Sequence, residues 1–251
     1  MSRTARKQSK TGVYHIMLRG NNKQQIFLDD NDSKQFLRIL LEYKEICGYK
    51  IYAYCLMGNH LHLLLKINET PLEGVMKRIV TKFVYFYNTK YARIGHLFQD
   101  RYKSEPVEDD EYLLQAVRYI HQNPVKAGMH EKPEDYVFSS YNEYMHGQAE
   151  IEVTDTEFVL GIMPKSQLAE FHKQSDNGIK FIDVAVSKKR ITEQEAIKIV
   201  KEVYNEYQIS DPNQCSKQQQ YDTVAVLKKK GLSVRQIERL TGISHWIAQN
   251  G

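Results

Sequence analysis

The chain has 251 residues, 41% hydrophobic and 26% charged, with a net charge of +4. That suits one large domain or two modest ones with packed cores. Mean hydropathy is -0.56, no apolar run approaches the ~20 residues of a membrane helix, and the start from Met1 to Thr11 is polar and basic. Neither a membrane span nor a secretory signal is therefore expected. Cys47, Cys55 and Cys215 form no CxxC, which argues against a disulfide scaffold or a cysteine zinc site and predicts a reducing, cytoplasmic setting.

The excess positive charge lies before residue 148, where 21 Lys and Arg stand against 17 Asp and Glu. Arg3, Arg6, Lys7 and Lys10 make a basic arm that suits a polyanion such as nucleic acid, or simply a solubilising tail.

Val13 to Arg19 alternates and is rich in β-formers, which predicts a strand ended by Gly20. Asp32-Ser33 is placed to cap a helix carrying Phe36, Ile39, Leu40, Tyr43 and Ile46, and Gly48 stops it. Tyr49 to Met57 and His60 to Ile67 read as two strands joined by the Gly58-Asn59 turn. Pro71 suits the start of a helix to about Lys90, with Val75, Ile79, Phe83 and Phe86 as its buried stripe. Leu97 to Val107 is the fourth predicted strand. Asp109-Asp110 opens a helix to Asn123, limited by Pro124. The order strand, helix, hairpin, helix, strand, helix predicts an α+β fold: a ferredoxin-like, split βαβ antiparallel sheet with helices packed on it.

Two motifs carry chemistry. In His60-Leu61-His62 on a strand, both imidazoles share one face, a common arrangement for a divalent metal, while Leu61 faces the opposite, helix-covered side. Taken alone, HxH is a weak signal, and two partly buried, hydrogen-bonding surface histidines explain it better. On the last helix, Leu113, Val117 and Ile120 form the core stripe, with Tyr112, Ala116, Tyr119 and Asn123 on the neighbouring one. A phenol one turn from a carboxamide can serve a single centre, the phenol attacking and the amide completing a metal's coordination. The plain alternative is a half-buried Tyr and an Asn that caps the helix end.

Together the motifs resemble the REP-associated tyrosine transposases, which belong to the HUH single-tyrosine transposases and are related to the small transposases of bacterial single-strand insertion sequences. The resemblance runs from residue 12 to 147. It rests on Gly12–Gly20 (GVYHIMLRG), Tyr54–Leu65 (YCLMGNHLHLLL), Gly95–Ser104 (GHLFQDRYKS), Tyr119–Gly128 (YIHQNPVKAG) and Ser139-Ser140-Tyr141. Asp100 departs from the pattern, standing where a small residue is expected. The resemblance implies an HUH nuclease fold, His60, His62 and Asn123 as ligands of Mg²⁺ or Mn²⁺, and Tyr119 as nucleophile. It also implies single-stranded DNA, beside a hairpin, as substrate, and it is compatible with a homodimer. Tyrosine attack on phosphorus would give a 5′-phosphotyrosine and free a 3′-hydroxyl. This is covalent catalysis that a second 3′-hydroxyl can reverse to join strands. A phenol of ordinary pKa about 10 needs help to ionise.

Tyr112 is the runner-up nucleophile. Tyr85, Tyr87 and Tyr91 lack a partner like Asn123, and His121 points elsewhere and is given no role. For DNA contact the candidates are Arg3, Arg6, Lys7, Lys10, Arg19, Arg101, Lys103, Arg118 and Lys126, with Tyr14, Phe98 and Tyr102 as stacking platforms.

The expected domains are 1–147 and a mainly α-helical 148–251. In the second, Glu157 to Phe171 reads as helix, Thr192–Glu195 as a capping box, and 218–251 as a helix-turn-helix or a plain bundle, with a capping box at Ser233–Gln236. The reading is therefore a metal-dependent DNA strand-transfer enzyme. A non-catalytic DNA-binding relative is the alternative, and an HxH hydrolase a weaker third.

Overall fold

The computed structural model describes residues 6–147, 149–174, 181–182, 193–209, 211–212 and 215–250, with the backbone alone at Gln194 and Asn250. Arg3 and Thr192 lie outside them. The chain forms two compact units, Met1–Val184 and Ala185–Gly251.

The first unit holds β1 (Val13–Arg19), α1 (Asp30–Cys47), β2 (Lys50–Met57), β3 (His60–Lys66), α2 (Leu72–Lys90), β4 (Lys103–Val107) and α3 (Asp110–Lys126). The strands form one antiparallel sheet in the order β2-β3-β1-β4, the split βαβ arrangement expected. Helices cover both faces, which is why the inner strands are buried along nearly their whole length. Tyr14, Ile16, Leu18, Leu61, Leu63 and Leu65 point to one face and pack with Phe36, Ile39 and Leu40 of α1 and Val75, Ile79 and Phe83 of α2. The other face carries Val13, Cys55, Met57 and Leu64 and packs with Leu113, Val117, Tyr119 and Ile120 of α3. A bulge between Ile51 and Ala53 shifts the register of β2 by one residue, so Tyr52 and Ala53 both join the α3 side.

Several boundaries differ from expectation, each for a local reason. The cap of α1 is Asp29, not Asp32-Ser33: its side chain accepts from Asp32 N at 3.0 Å while Asp32 Oδ2 accepts from Leu28 N at 2.8 Å. Ile46, expected on the buried stripe, is exposed. β4 begins at Lys103, not Leu97. Leu97 O instead accepts from Asn21 N and the Gln24 side chain, and Phe98 forms a single bridge to Gly20. α3 runs through Pro124 to Lys126. Proline leaves the Ile120 carbonyl without its usual donor, and the Asn123 Nδ2 turns back to it at 3.5 Å and to Tyr119 O at 2.9 Å.

Beyond α3, α4 (Tyr141–His146), α5 (Thr156–Ile162) and α6 (Lys165–Lys173) complete the unit. The single helix expected over 157–171 is two, because Pro164 can start a helix but not continue one. Both carry core residues, Val159 and Leu168, into the α3 side of the sheet, so the first unit extends past residue 147.

The second unit consists of α7 (Glu193–Glu206), α8 (Lys217–Lys229), α9 (Val234–Thr241) and α10 (His245–Asn250). Ser216 and Ser233 each make a reciprocal capping box, and Gly242, at φ +72°, ends α9 in the left-handed conformation that glycine adopts at no steric cost. The helices close around Val200, Val203, Val224, Leu227, Ile237 and Ile243. Among the described residues no helix is long and apolar enough to cross a membrane.

Candidate active site

The Gly58-Asn59 turn aims β3. Gly58 O accepts from Ile26 N and Phe27 N, which ties the 20–27 loop to the turn. From that fixed start, strand alternation puts His60 and His62 on the α3 face, with ring centroids 5.3 Å apart. Leu61 points to the α1–α2 core as expected. His60 is half-buried at the mouth and its Nδ1 lies 2.7 Å from Asn59 Oδ1. His62 is fully buried, and its Nε2 has no hydrogen-bond partner among the described residues.

A third histidine stands beside them. His15, on β1, is fully buried and its Nε2 lies 3.0 Å from His62 Nδ1. Burial pushes the His15 imidazole down to about 3. Burial, then the neighbouring His15 and His60, holds His62 well below the ordinary histidine range. Both rings are therefore neutral at pH 7, the form in which an imidazole donates a lone pair.

The α3 helix completes the group. Asp109 caps it by accepting from Tyr112 N at 2.7 Å. Tyr119 is buried, its ring 5.6 Å from that of His62 and 5.7 Å from that of His15, edge-on to both. Phe181 stacks on its other side at 4.6 Å, and the Lys126 ammonium lies 4.8 Å from its ring centroid. Asn123, one turn on, is also buried, with Nδ2 engaged by the backbone as described. Tyr112 contacts Phe181, and burial followed by the Glu105 carboxylate pushes its phenol up, which disfavours it as a nucleophile. Tyr87 and Tyr91 are spent on Gln25 O and Asp32, in the α1–α2 layer.

His121, set aside in the sequence, anchors α3. Its Nδ1 meets His172 Nε2 at 2.9 Å and its Nε2 meets Ser140 Oγ at 2.8 Å. His172 Nδ1 donates to Leu168 O at 2.7 Å. The chain ties α3 to α6 and, through Ser140 and Tyr54, to β2.

The residues expected to meet DNA divide. Arg6, Lys7, Arg101 and Lys103 line one cleft along the outer edge of β4, with Arg6 stacked 3.9 Å above the Tyr102 ring. Asp100 lines the same cleft and accepts from Arg101 N. Lys10 is exposed, its backbone held by Glu108. Arg19 stands in register with His60 across β1 and β3. Arg118 does not face solvent: it is buried, donates to Gln174 O and lies over the Phe171 ring. Tyr14 and Phe98 are core residues, leaving Tyr102 as the half-exposed aromatic of the three.

His15 and Phe181 were missed. Only the odd-numbered face of VYHIMLR, shared with His62 across the sheet, could have signalled His15. Phe181 carries no periodic signal.

Residues 8–123 match the family described as Transposase IS200 like, a span that includes the sheet, both HxH histidines, Tyr119 and Asn123. A curated relative from Haemophilus influenzae Rd, assigned as a REP-associated tyrosine transposase, is 26% identical over 159 residues, 57% of this chain and 86% of the relative. A solved REP-associated tyrosine transposase bound to a REP hairpin has the same fold, at a TM-score of 0.50 and 22% identity, over 62% of this chain and 96% of that one. A histidine strand faced by a tyrosine helix, on this fold, defines a tyrosine transposase, a class of DNA-cleaving enzyme. Residues 8–123 match the IS200-like transposases, and the relatives the chain resembles are REP-associated tyrosine transposases.

Proposed function

We propose that the chain cleaves and rejoins single-stranded DNA beside a hairpin, with Tyr119 as the nucleophile. The observation that carries this reading is the 5.6 Å approach of the Tyr119 and His62 rings, with His60 a further 5.3 Å along the strand. The Tyr119 oxygen bonds to phosphorus and the bond from phosphorus to the 3′-oxygen breaks. The phenol loses its proton and the 3′-oxygen gains one. The product is a 5′-phosphotyrosine and a free 3′-hydroxyl, and attack by a second 3′-hydroxyl reverses the step and joins strands. The Lys126 ammonium, 4.8 Å from the centroid of the Tyr119 ring, attracts the phosphate.

The donor set fits a divalent cation. His62 Nε2 is a buried nitrogen with no hydrogen-bond partner among the described residues, and His60 stands beside it. The third donor in this reading is the amide oxygen of Asn123, buried one turn of α3 beyond Tyr119, as the family resemblance implies. Bound there, Mg²⁺ or Mn²⁺ supplies positive charge to the phosphate oxygens. The hairpin-bound solved structure supports a hairpin-bearing substrate, and Arg6, Lys7, Arg101 and Lys103 offer its phosphates cationic contacts in a cleft shared with Asp100, Glu105, Glu108 and Asp109. The second unit, with α9 and α10 joined at Gly242, suits a helix-turn-helix that adds a duplex contact.

The stacking of Phe181 on Tyr119 favours a second reading, a hairpin-binding protein that does not cleave. One assay separates them. Labelled single-stranded hairpin DNA is incubated with Mn²⁺ and run on a denaturing gel. A covalent adduct that disappears in Tyr119→Phe and persists in Tyr112→Phe is expected. Binding with no adduct in the wild type favours the second reading.

A further inference from the structure

On β3 both site histidines have Nδ1 engaged. For His60 the partner is Asn59 Oδ1 at 2.7 Å, an oxygen that only accepts, so His60 carries its proton at Nδ1 and keeps a lone pair at Nε2. The Asn59 amide is oriented by its own donation from Nδ2 to Lys23 O at 3.4 Å. For His62 the partner is His15 Nε2 at 3.0 Å, and here either ring could be the donor. The two rings are buried and these nitrogens stand 3.0 Å apart, with room for one proton between them. If His15 donated, His62 would carry its proton at Nε2, where it meets no acceptor among the described residues. Either arrangement leaves one buried N–H without a hydrogen bond, at His62 Nε2 or at His15 Nδ1, so the cation decides between them. If His62 donates, its Nε2 is a lone pair, beside the His60 ring 5.3 Å away.

We propose that His15 is a positioning residue for the cation site. It accepts the Nδ1 proton of His62 and so holds His62 in the tautomer that turns its Nε2 lone pair outward to a divalent cation. This rests on the metal-dependent reading above. Asn59 does for His60 from the turn what His15 does for His62 from the neighbouring strand. The remaining nitrogen of His15, Nδ1, then carries the proton. It is buried without a hydrogen bond among the described residues, in a ring that stands edge-on to Tyr119 at 5.7 Å and to Phe181 at 6.0 Å. His15 thus touches a ligand on one side and the nucleophile's ring on the other, and an acceptor lost here loosens a ligand without removing it.

The test compares the full chain with its His15→Phe and His15→Gln variants. Phenylalanine keeps the ring and removes the acceptor; glutamine returns an acceptor oxygen near the place of Nε2. Mn²⁺ alone is titrated without DNA, and the free ion is read by electron paramagnetic resonance. His15→Phe is expected to weaken Mn²⁺ binding by about tenfold or more, and His15→Gln to restore most of it. All three should bind a hairpin oligonucleotide equally in EDTA. Equal Mn²⁺ affinity in His15→Phe and wild type overturns the proposal, and so does an equal loss in both variants, which would mean packing alone. If wild type and His62→Ala bind Mn²⁺ alike, the metal reading itself fails and the proposal with it. A measurement on the wild type needs no variant to fold: with ¹⁵N-labelled histidine and Mg²⁺ present, His62 is expected to be protonated at Nδ1. Protonation at Nε2 overturns the assignment.

Discussion

Phe181 lies nearly flat on Tyr119, with 28° between the ring planes, and Tyr112 closes on it from two turns earlier in α3. Such a pair is worth about 0.5–1.5 kcal/mol beyond its buried area. It leaves Tyr119 only 8% exposed, little for a group that must meet a phosphate. Removing the ring should therefore uncover the phenol more than it disturbs the fold. Phe181→Ala is expected to raise the rate at which tetranitromethane nitrates Tyr119, read by peptide mass, several-fold over wild type. An unchanged rate would mean that the phenol is reached from another side.

Asn123 has two ends with separate duties, which makes the last turns of α3 testable as an element. Its Nδ2 satisfies carbonyls at Tyr119 and at Ile120, the latter stranded by Pro124, while its Oδ1 is the proposed ligand atom. Asn123→Asp keeps an oxygen and deletes the donor. Urea unfolding should show a loss of about 1–2 kcal/mol, while Mn²⁺ affinity is retained or increased. Loss of both together would place the amide's role in structure alone. The other end of the scaffold depends on Ser140, whose Oγ accepts from Tyr54 N and pairs with His121 Nε2. Ser140→Ala leaves two buried groups unmatched and should cost about 1–3 kcal/mol by the same measurement, with the far-UV spectrum unchanged. A loss below 0.5 kcal/mol, roughly the noise of such comparisons, would show that the chain of histidines does not hold α3. These two features also mark where sequence reading stops. His60, His62 and Tyr119 were legible because periods of 2 and 3.6 fix which face a residue occupies. Pro124 was misread as a stop because the side chain that compensates for it belongs to the residue before it. His15 was invisible because the partner that gives a lone histidine meaning is on another strand, 47 residues away. Leu97 to Tyr102 looked like strand because its β-formers are real, but their backbone groups are taken by the loop after β1.

Across the first unit, four histidines are buried and held neutral: His15, His62, His121 and His172. Burial is the main cause in each, pushing His15 down to about 3 and His172 to about 4, with His62 and His121 well below the ordinary value of 6.5. The unfolded chain binds a proton at each of these sites below pH 6.5, whereas the native chain refuses it. Stability is therefore complete above 6.5 and falls as the pH drops from there toward 4 for His172 and 3 for His15. The slope approaches on the order of 1.4 kcal/mol per pH unit for each histidine involved. Glu143, whose carboxyl is raised by burial, acts in the opposite sense, but it is one group against four. Thermal melts of the metal-free chain should show a midpoint that is level from pH 8 to 7 and drops steeply between 6.5 and 5. Mn²⁺, bound by a neutral His62, should move the start of that drop to lower pH, because a ligand that needs the unprotonated ring competes with the proton for it. A midpoint flat from pH 7 to 5 would mean that these rings gain their protons without opening the fold.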